Sequence, residues 1–144
     1  EVPEGDVLIP FGQARIERQG SDLSIVSWSS CLHDAAAAAA TLEGEGISAE
    51  VIDLRTLWPW DKDAVLASVE KTGRLLVAHE SVAVGGFGAE VAATVGERLF
   101  KALKAPVRRL GAPRAPISYA PPLEDQVRVT PEKIAAAGRA LMAS

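Results

Sequence analysis

The chain has 144 residues, which suits one domain around a single core. It is 48% hydrophobic and 24% charged, with a formal net charge of -4 and no long cationic block, which argues against nucleic acid or an anionic membrane as partner. A lone cysteine, Cys31, excludes an internal disulfide and fits a reducing cytosol, and no apolar run reaches the ~18 residues of a membrane span.

Residues 1–13 read as a linker and lead-in arm, punctuated by proline and glycine. The chain opens on Glu1 rather than Met and shows no signal peptide, which suggests a fragment or a processed product. Ala14–Arg18 alternates loosely, as a short edge strand would. Leu23–Trp28 is β-prone and predicts an interior strand after the turn at 19–22. Ser29 and Ser30 are placed to cap a helix running to about Glu43. It contains six consecutive alanines, Ala35 to Ala40, whose small side chains let a helix lie close to a sheet. Gly44 and Gly46 stop it.

Ala49–Leu54 predicts the next strand, followed by the loop Trp58-Pro59-Trp60. Asp61 is a good N-cap for a helix burying Val65, Leu66 and Val69, with Gly73 at its end. Leu75–Ala78 is apolar on both faces, the mark of a parallel sheet covered by helices on both sides. Phe87, Val91, Val95, Leu99 and Leu103 recur every four residues, so the spacing predicts a long amphipathic helix over 86–103. Pro106–Leu110 reads as a strand nearer an edge, and residues 111–129 as a proline-rich surface connection. Thr130-Pro131-Glu132 starts a last helix burying Ile134, Leu141 and Ala137. Strand and helix alternate throughout, which predicts a three-layer α/β/α fold with right-handed crossovers.

The sequence shows no nucleophile–base pair, no metal cluster and no Walker-type phosphate loop. Gly85-Gly86-Phe87-Gly88 follows a strand and opens a helix, so it reads either as a small-anion site or as a tight turn with close helix-to-strand approach. His79 and Glu80 lie at the carboxyl end of a parallel strand, where ligands gather. Glu80 is placed to polarise His79; alternatively the pair anchors the glycine loop or lines a subunit contact. His33 has no third ligand beside Asp34, and Cys31 reads as a small buried residue. Trp58 and Trp60 either pin their loop or centre a protein interface. Arg55 can hold a carboxylate or pair with Asp53 or Asp61. Arg108, Arg109 and Arg114 form a basic group beside the proline-rich connection, suited to solvent or to an acidic partner surface.

IPFGQARIERQGSDLSIVSW, EVIDLRTLWPWD, KTGRLLVAHE, GGFGAEVAA and APVRR, in this order, resemble the carboxyl-terminal domain of the beta subunit of 2-oxo acid dehydrogenases, which is similar to the last domain of transketolase. Pro-Trp-Asp after DLRTL resembles the branched-chain enzyme more than the pyruvate enzyme; APRAPISYAPPLED is also similar to pyruvate- and acetoin-type subunits. The resemblance implies a five-stranded, mostly parallel sheet over 14–144 with one antiparallel edge strand. It also implies a preceding pyrimidine-binding domain outside this chain. That domain would carry the catalytic residues and bind thiamine diphosphate with its Mg2+, leaving none of these on the present domain. The implied partners are the alpha subunit, a second beta subunit and the peripheral binding domain of a lipoyl transacylase, the last docking near Lys104, Arg108, Arg109 and the final helix. The implied location is bacterial cytoplasm or, in eukaryotes, the mitochondrial matrix. Rival readings are a transketolase or deoxyxylulose-phosphate synthase domain and a free-standing anion-binding module.

Overall fold

In a computed structural model, residues 4–144 are described, so residues 4–13 of the expected lead-in arm are seen and the first three lie outside the described residues. Five strands make one sheet in the order β1-β3-β2-β4-β5: β1 (Arg15–Arg18), β2 (Leu23–Ser27), β3 (Ala49–Asp53), β4 (Leu75–Val82) and β5 (Arg108–Ala112). β2 to β5 are parallel, and β1 pairs antiparallel with β3, as the resemblance implied. Helices α1 (Cys31–Gly44) and α5 (Pro131–Met142) cover one face. Helices α2 (Lys62–Thr72) and α3 (Gly88–Leu99) cover the other, and a short α4 (Pro121–Val127) precedes α5. The domain is a three-layer α/β/α sandwich.

Strand alternation builds the two cores. Leu23, Ile25, Val51, Leu76 and Ala78 face α1 and α5, while Val26, Ile52, Leu75 and Val77 face α2 and α3. The alanine block works through size: Ala35, Ala38 and Ala39 are fully buried, so α1 lies close to the sheet and to α5. At that crossing a Cβ on Gly138 would come within 2.9 Å of a Leu42 methyl. Asp61 caps α2 by accepting from the Ala64 N–H at 3.0 Å, and Gly73 ends it in the left-handed region. Thr130 caps α5 through the Lys133 N–H, with Pro131 in the first turn.

Four local expectations need correction. Ser29 and Ser30 give α1 no side-chain cap. Ser30 is itself helical, Ser29 has φ 57, and their carbonyls accept from Leu32 and His33 instead. β4 runs past Ala78 to Val82, because Val82 pairs with Ala112 across a register shift; β5 accordingly extends to Ala112. α3 ends at Leu99, where Ala102 and Leu103 N–H both turn back onto the Leu99 carbonyl. The proline-rich connection contains α4, with Pro121 and Pro122 in the first turn, a start signal as clear as that of α5.

α4 buries no residue. Its carboxyl end is held chiefly by Lys133, whose Nζ donates to the carbonyls of Asp125 (2.8 Å), Gln126 (2.8 Å) and Arg128 (2.6 Å), beside an exposed Arg128–Asp125 ion pair. Lys133→Ala is expected to abolish exchange protection of the Arg128 amide, which bonds Glu124 in α4, while global stability falls by less than about 0.5 kcal/mol. Amide hydrogen exchange by NMR beside urea unfolding checks both halves.

A polar seam crosses the α2 side of the sheet. Ser24 Oγ lies 2.6 Å from Ser68 Oγ and 2.8 Å from Thr72 Oγ1. The buried carboxylate of Glu50 pairs with Lys71 and accepts from the Gly20 N–H. Burial pushes the Glu50 carboxyl up, but the donors Lys71, Ser68 and Gly20 outweigh it and leave it below its ordinary value of 4.5. Its unfolded form therefore takes a proton first. The stability it contributes is present above pH 4.5 and drains away as pH falls through the lower folded value. Urea titrations between neutral and acid pH should show a weaker pH dependence for Glu50→Gln than for the parent.

Candidate functional site

β2 connects leftward to β3 through α1, whereas β3 crosses rightward to β4 through α2. The connections reverse between β2 and β4, and the carboxyl ends of those strands frame the crevice where open parallel sheets take ligands. His79 and Glu80 sit there, adjacent in β4 and therefore on opposite faces. That alternation overturns the expectation that Glu80 polarises His79: the imidazole is fully buried under α3, and Glu80 is exposed on the α1 side.

His79 is enclosed by aromatic rings and by glycines. Trp28 stacks on it at 5.1 Å and 18°, and Phe87 meets Trp28 edge-on at 6.0 Å. Three glycines leave room for the ring. A Cβ on Gly88 would lie 2.6 Å from Nε2; one on Gly86 would lie 2.8 Å and one on Gly111 of β5 2.9 Å from Cε1, though these two would first meet the backbone carbonyls of Val82 (2.3 Å) and Ser81 (2.7 Å). The Gly85–Gly88 turn is thus packed against a side chain, as the close-approach reading had it. Neither ring nitrogen has a hydrogen-bond partner among the described residues. Burial pushes His79 below its ordinary value of 6.5. The nearby Ser81 backbone works the other way, and the Arg109 guanidinium adds to the lowering. The inward alternation Leu75, Val77, His79 was a signal for this burial; the parts played by Trp28 and Gly111 had none in the local sequence.

On the other face lies a cleft of about 350 Å³ lined by Ser30 and Asp34 of the α1 entrance, Glu80, Ile117, Glu124 and Arg128. Cys31 lies buried beside it, and its thiol is pushed up to about 11 by burial, with Asp34 and Glu80 adding to the rise. A thiol so disposed is inert at neutral pH, as a small buried residue should be. His33 is exposed, and among the described residues no trio of His, Cys, Asp and Glu is grouped to hold a metal ion.

The tryptophan loop divides its two rings. Trp60 is 5% exposed and packs edge-on against Phe87 at 6.1 Å; Trp58 is 77% exposed. The arm is fastened to this loop. Gly12 N donates to Thr56 Oγ1 (2.9 Å), Thr56 Oγ1 donates to the Pro59 carbonyl (2.7 Å), and Ala14 N donates to Asp61 Oδ2 (2.9 Å). Phe11, 81% exposed, lies one residue before the Gly12 anchor on that arm. Arg55 makes neither ion pair expected of it. Its backbone N–H, at φ 57, donates to Asp53 Oδ1, while Asp61 is engaged by Ala14 and Ala64.

The basic residues do not gather into one group. Arg108 pairs with Leu76 and shares its α5-side face, whereas Arg109 pairs with Val77 on the α3 side and donates to the Ala83 carbonyl at 2.7 Å. Lys104 Nζ donates to the Thr72 carbonyl at 3.2 Å, at the opposite end of the sheet from the crevice. Arg114 is exposed.

Residues 12–134 match the family "Transketolase, C-terminal domain". The chain belongs to the transketolase C-terminal domain family. Along 110 residues this transketolase C-terminal domain is 53% identical to the 2-oxoisovalerate dehydrogenase subunit beta 2, mitochondrial, of Arabidopsis thaliana, covering 76% of the chain and 31% of that protein. Along 142 residues it is 47% identical to the acetoin:2,6-dichlorophenolindophenol oxidoreductase subunit beta of Cupriavidus necator, covering 99% of the chain and 42% of that protein. A solved split-gene transketolase, described as an inactive beta4 tetramer, superposes with a TM-score of 0.84 at 28% identity, covering 99% of the chain and 45% of that structure. The transketolase C-terminal domain thus spans less than half the length of each of these relatives.

Proposed function

We propose that this chain is the assembly-bearing carboxyl-terminal domain of the beta subunit of a 2-oxo acid dehydrogenase, with the branched-chain enzyme favoured over the pyruvate and acetoin types. The observation that carries the reading is 53% identity to a branched-chain beta subunit over a stretch containing DLRTLWPWD. The parent reaction is then oxidative decarboxylation of a branched-chain 2-oxo acid with acyl transfer to lipoyl-lysine. The 47% identity to an acetoin-type subunit keeps that enzyme as the second reading.

Thiamine diphosphate with its magnesium needs a diphosphate cradle and a set of oxygen ligands. The described residues of this domain do not fit it: the glycine turn is filled by the His79 ring, and the cleft on the other face sets Asp34, Glu80 and Glu124 against Arg128, with its carboxylates not grouped to hold a metal ion. In this reading the cofactor is held elsewhere in the parent. The domain contributes contact surface to an alpha subunit and a second beta subunit through the exposed Trp58 and arm. The exposed edge strand β5, with Arg108, and the Lys104–Arg109 region before and along it are the proposed contact for the lipoyl transacylase peripheral binding domain, although their cations do not gather into one patch.

The test is a substrate panel on the full-length parent assembled with its alpha subunit. Thiamine-dependent turnover of 3-methyl-2-oxobutanoate in preference to pyruvate and acetoin is expected, and none from residues 1–144 alone. Preference for acetoin would install the second reading, and turnover by the domain alone would end both.

A further inference from the structure

The crevice holds a buried group that the assembly reading does not use. His79 has no hydrogen-bond partner at either nitrogen among the described residues, yet it is the piece around which three separate segments close. Those segments are the Gly85–Gly88 turn, Gly111 of β5, and Trp28 after β2. The β4–β5 register shifts between Ala78 and Val82, so the ladder is interrupted at His79 and resumes only at the strand tip. Beyond the interruption the tip is held by the Val82–Ala112 pair, the Ala83 N–H to Ala112 carbonyl bond and the Arg109 bond to the Ala83 carbonyl. Glu80 and Ala112, on this same tip, line the cleft on the opposite face.

We propose that His79 is a proton-operated latch: neutral, it fills the glycine cradle and fixes the β4–β5 tip; protonated, it leaves the cradle, freeing the tip and widening the cleft behind it. An imidazolium carries two N–H donors, and neither ring nitrogen has a hydrogen-bond partner among the described residues; the Ser81 backbone beside the ring favours the charged form but is outweighed by burial and Arg109. The charged groups around it do not offset that cost. From β2 the ring faces the uncharged Trp28, and from the turn and α3 it faces Gly86 and Gly88. From β5 it faces Arg109, a cation that opposes protonation. Glu80, the neighbouring carboxylate, points to the other face with Asp34 and Glu124. Burial and Arg109 place the transition below the ordinary histidine range, so the neutral, latched form prevails at neutral pH and is lost on acidification.

The experiment follows the His79 ring carbons and the Gly86, Gly88 and Gly111 amides by NMR from pH 8 downward, with circular dichroism on the same samples. Expected is one ring titration below the ordinary value of 6.5, all three glycine amides moving with its midpoint, and unchanged circular dichroism across it. Arg109→Met should move that midpoint upward, and in His79→Phe the glycine amides should no longer titrate. A ring that titrates while the glycines stay still overturns the latch. So does a ring that stays neutral until the fold itself is lost. Either result is read on the parent protein alone, should a variant fail to fold.

Discussion

Gly88→Ala is expected to cost the domain about 2–3 kcal/mol in urea unfolding, and most of that cost should vanish in a His79→Ala background. The added Cβ would sit 2.6 Å from Nε2 and 2.8 Å from Cδ2 of an imidazole that is fully buried in its neutral form. Overpacking of this kind typically costs about 1–3 kcal/mol. With the imidazole removed, the nearest remaining atom is a Val77 methyl at 3.2 Å, which can yield by a few tenths of an ångström. The double-mutant cycle should therefore show coupling of roughly 1–2 kcal/mol, as expected for residues in direct contact. Gly86→Ala makes the control, because its Cβ would meet the backbone carbonyl of Val82 at 2.3 Å, which removal of His79 does not clear. An uncoupled Gly88→Ala would mean that the glycine serves something other than the imidazole. Phosphate-dependent chemical shifts at Gly86 and Phe87 would then bring the anion-site reading back.

The two tryptophans of one loop should respond in opposite ways. Trp60→Ala removes a ring that is 5% exposed and packed edge-on to Phe87 between α2 and the sheet. Deleting such a core aromatic costs about 3–5 kcal/mol, a large part of the roughly 5–15 kcal/mol that holds a domain together. Trp58→Ala removes a ring that is 77% exposed, so the domain's own unfolding midpoint should barely move, within about 0.5 kcal/mol. Its effect should appear instead in the assembled parent. Centrally placed interface tryptophans often contribute about 2 kcal/mol or more, and sedimentation of the full-length subunit with its partner should show a lower assembled fraction. Equal destabilisation of the isolated domain by both substitutions would contradict the division seen in the fold. An unchanged assembled fraction for Trp58→Ala would remove this loop from the interface.

Local sequence determined the five strands and four of the five helices, and several of their ends, because the forces that set them act within one turn of chain. Asp61, Gly73 and Thr130-Pro131 mark helix ends through bonds to their own neighbours, and the apolar run Leu75–Ala78 announces a strand covered on both sides. The alanine block foretold a close helix in the same way. The end of β4 was not legible, because Val82 becomes a strand residue only by pairing with Ala112, far along the chain. The serine cap failed for a related reason: the turn out of β2 is set by Ser29 in the left-handed region and by backbone bonds, not by a side chain.

The candidate site divides along the same line. That His79, Glu80 and the glycine turn belong at a sheet's carboxyl edge followed from the order of elements. That His79 and Glu80 face away from one another followed from the pleat only once β4 was known to continue through them. The purpose of the glycines was settled by tertiary structure alone, since the ring they enclose is brought to them by β4, Trp28 and Gly111 together. Which tryptophan is core and which is surface was decided there too. Burial is a property of what packs on top, and in this loop that is α2, Phe87 and the arm tied through Thr56.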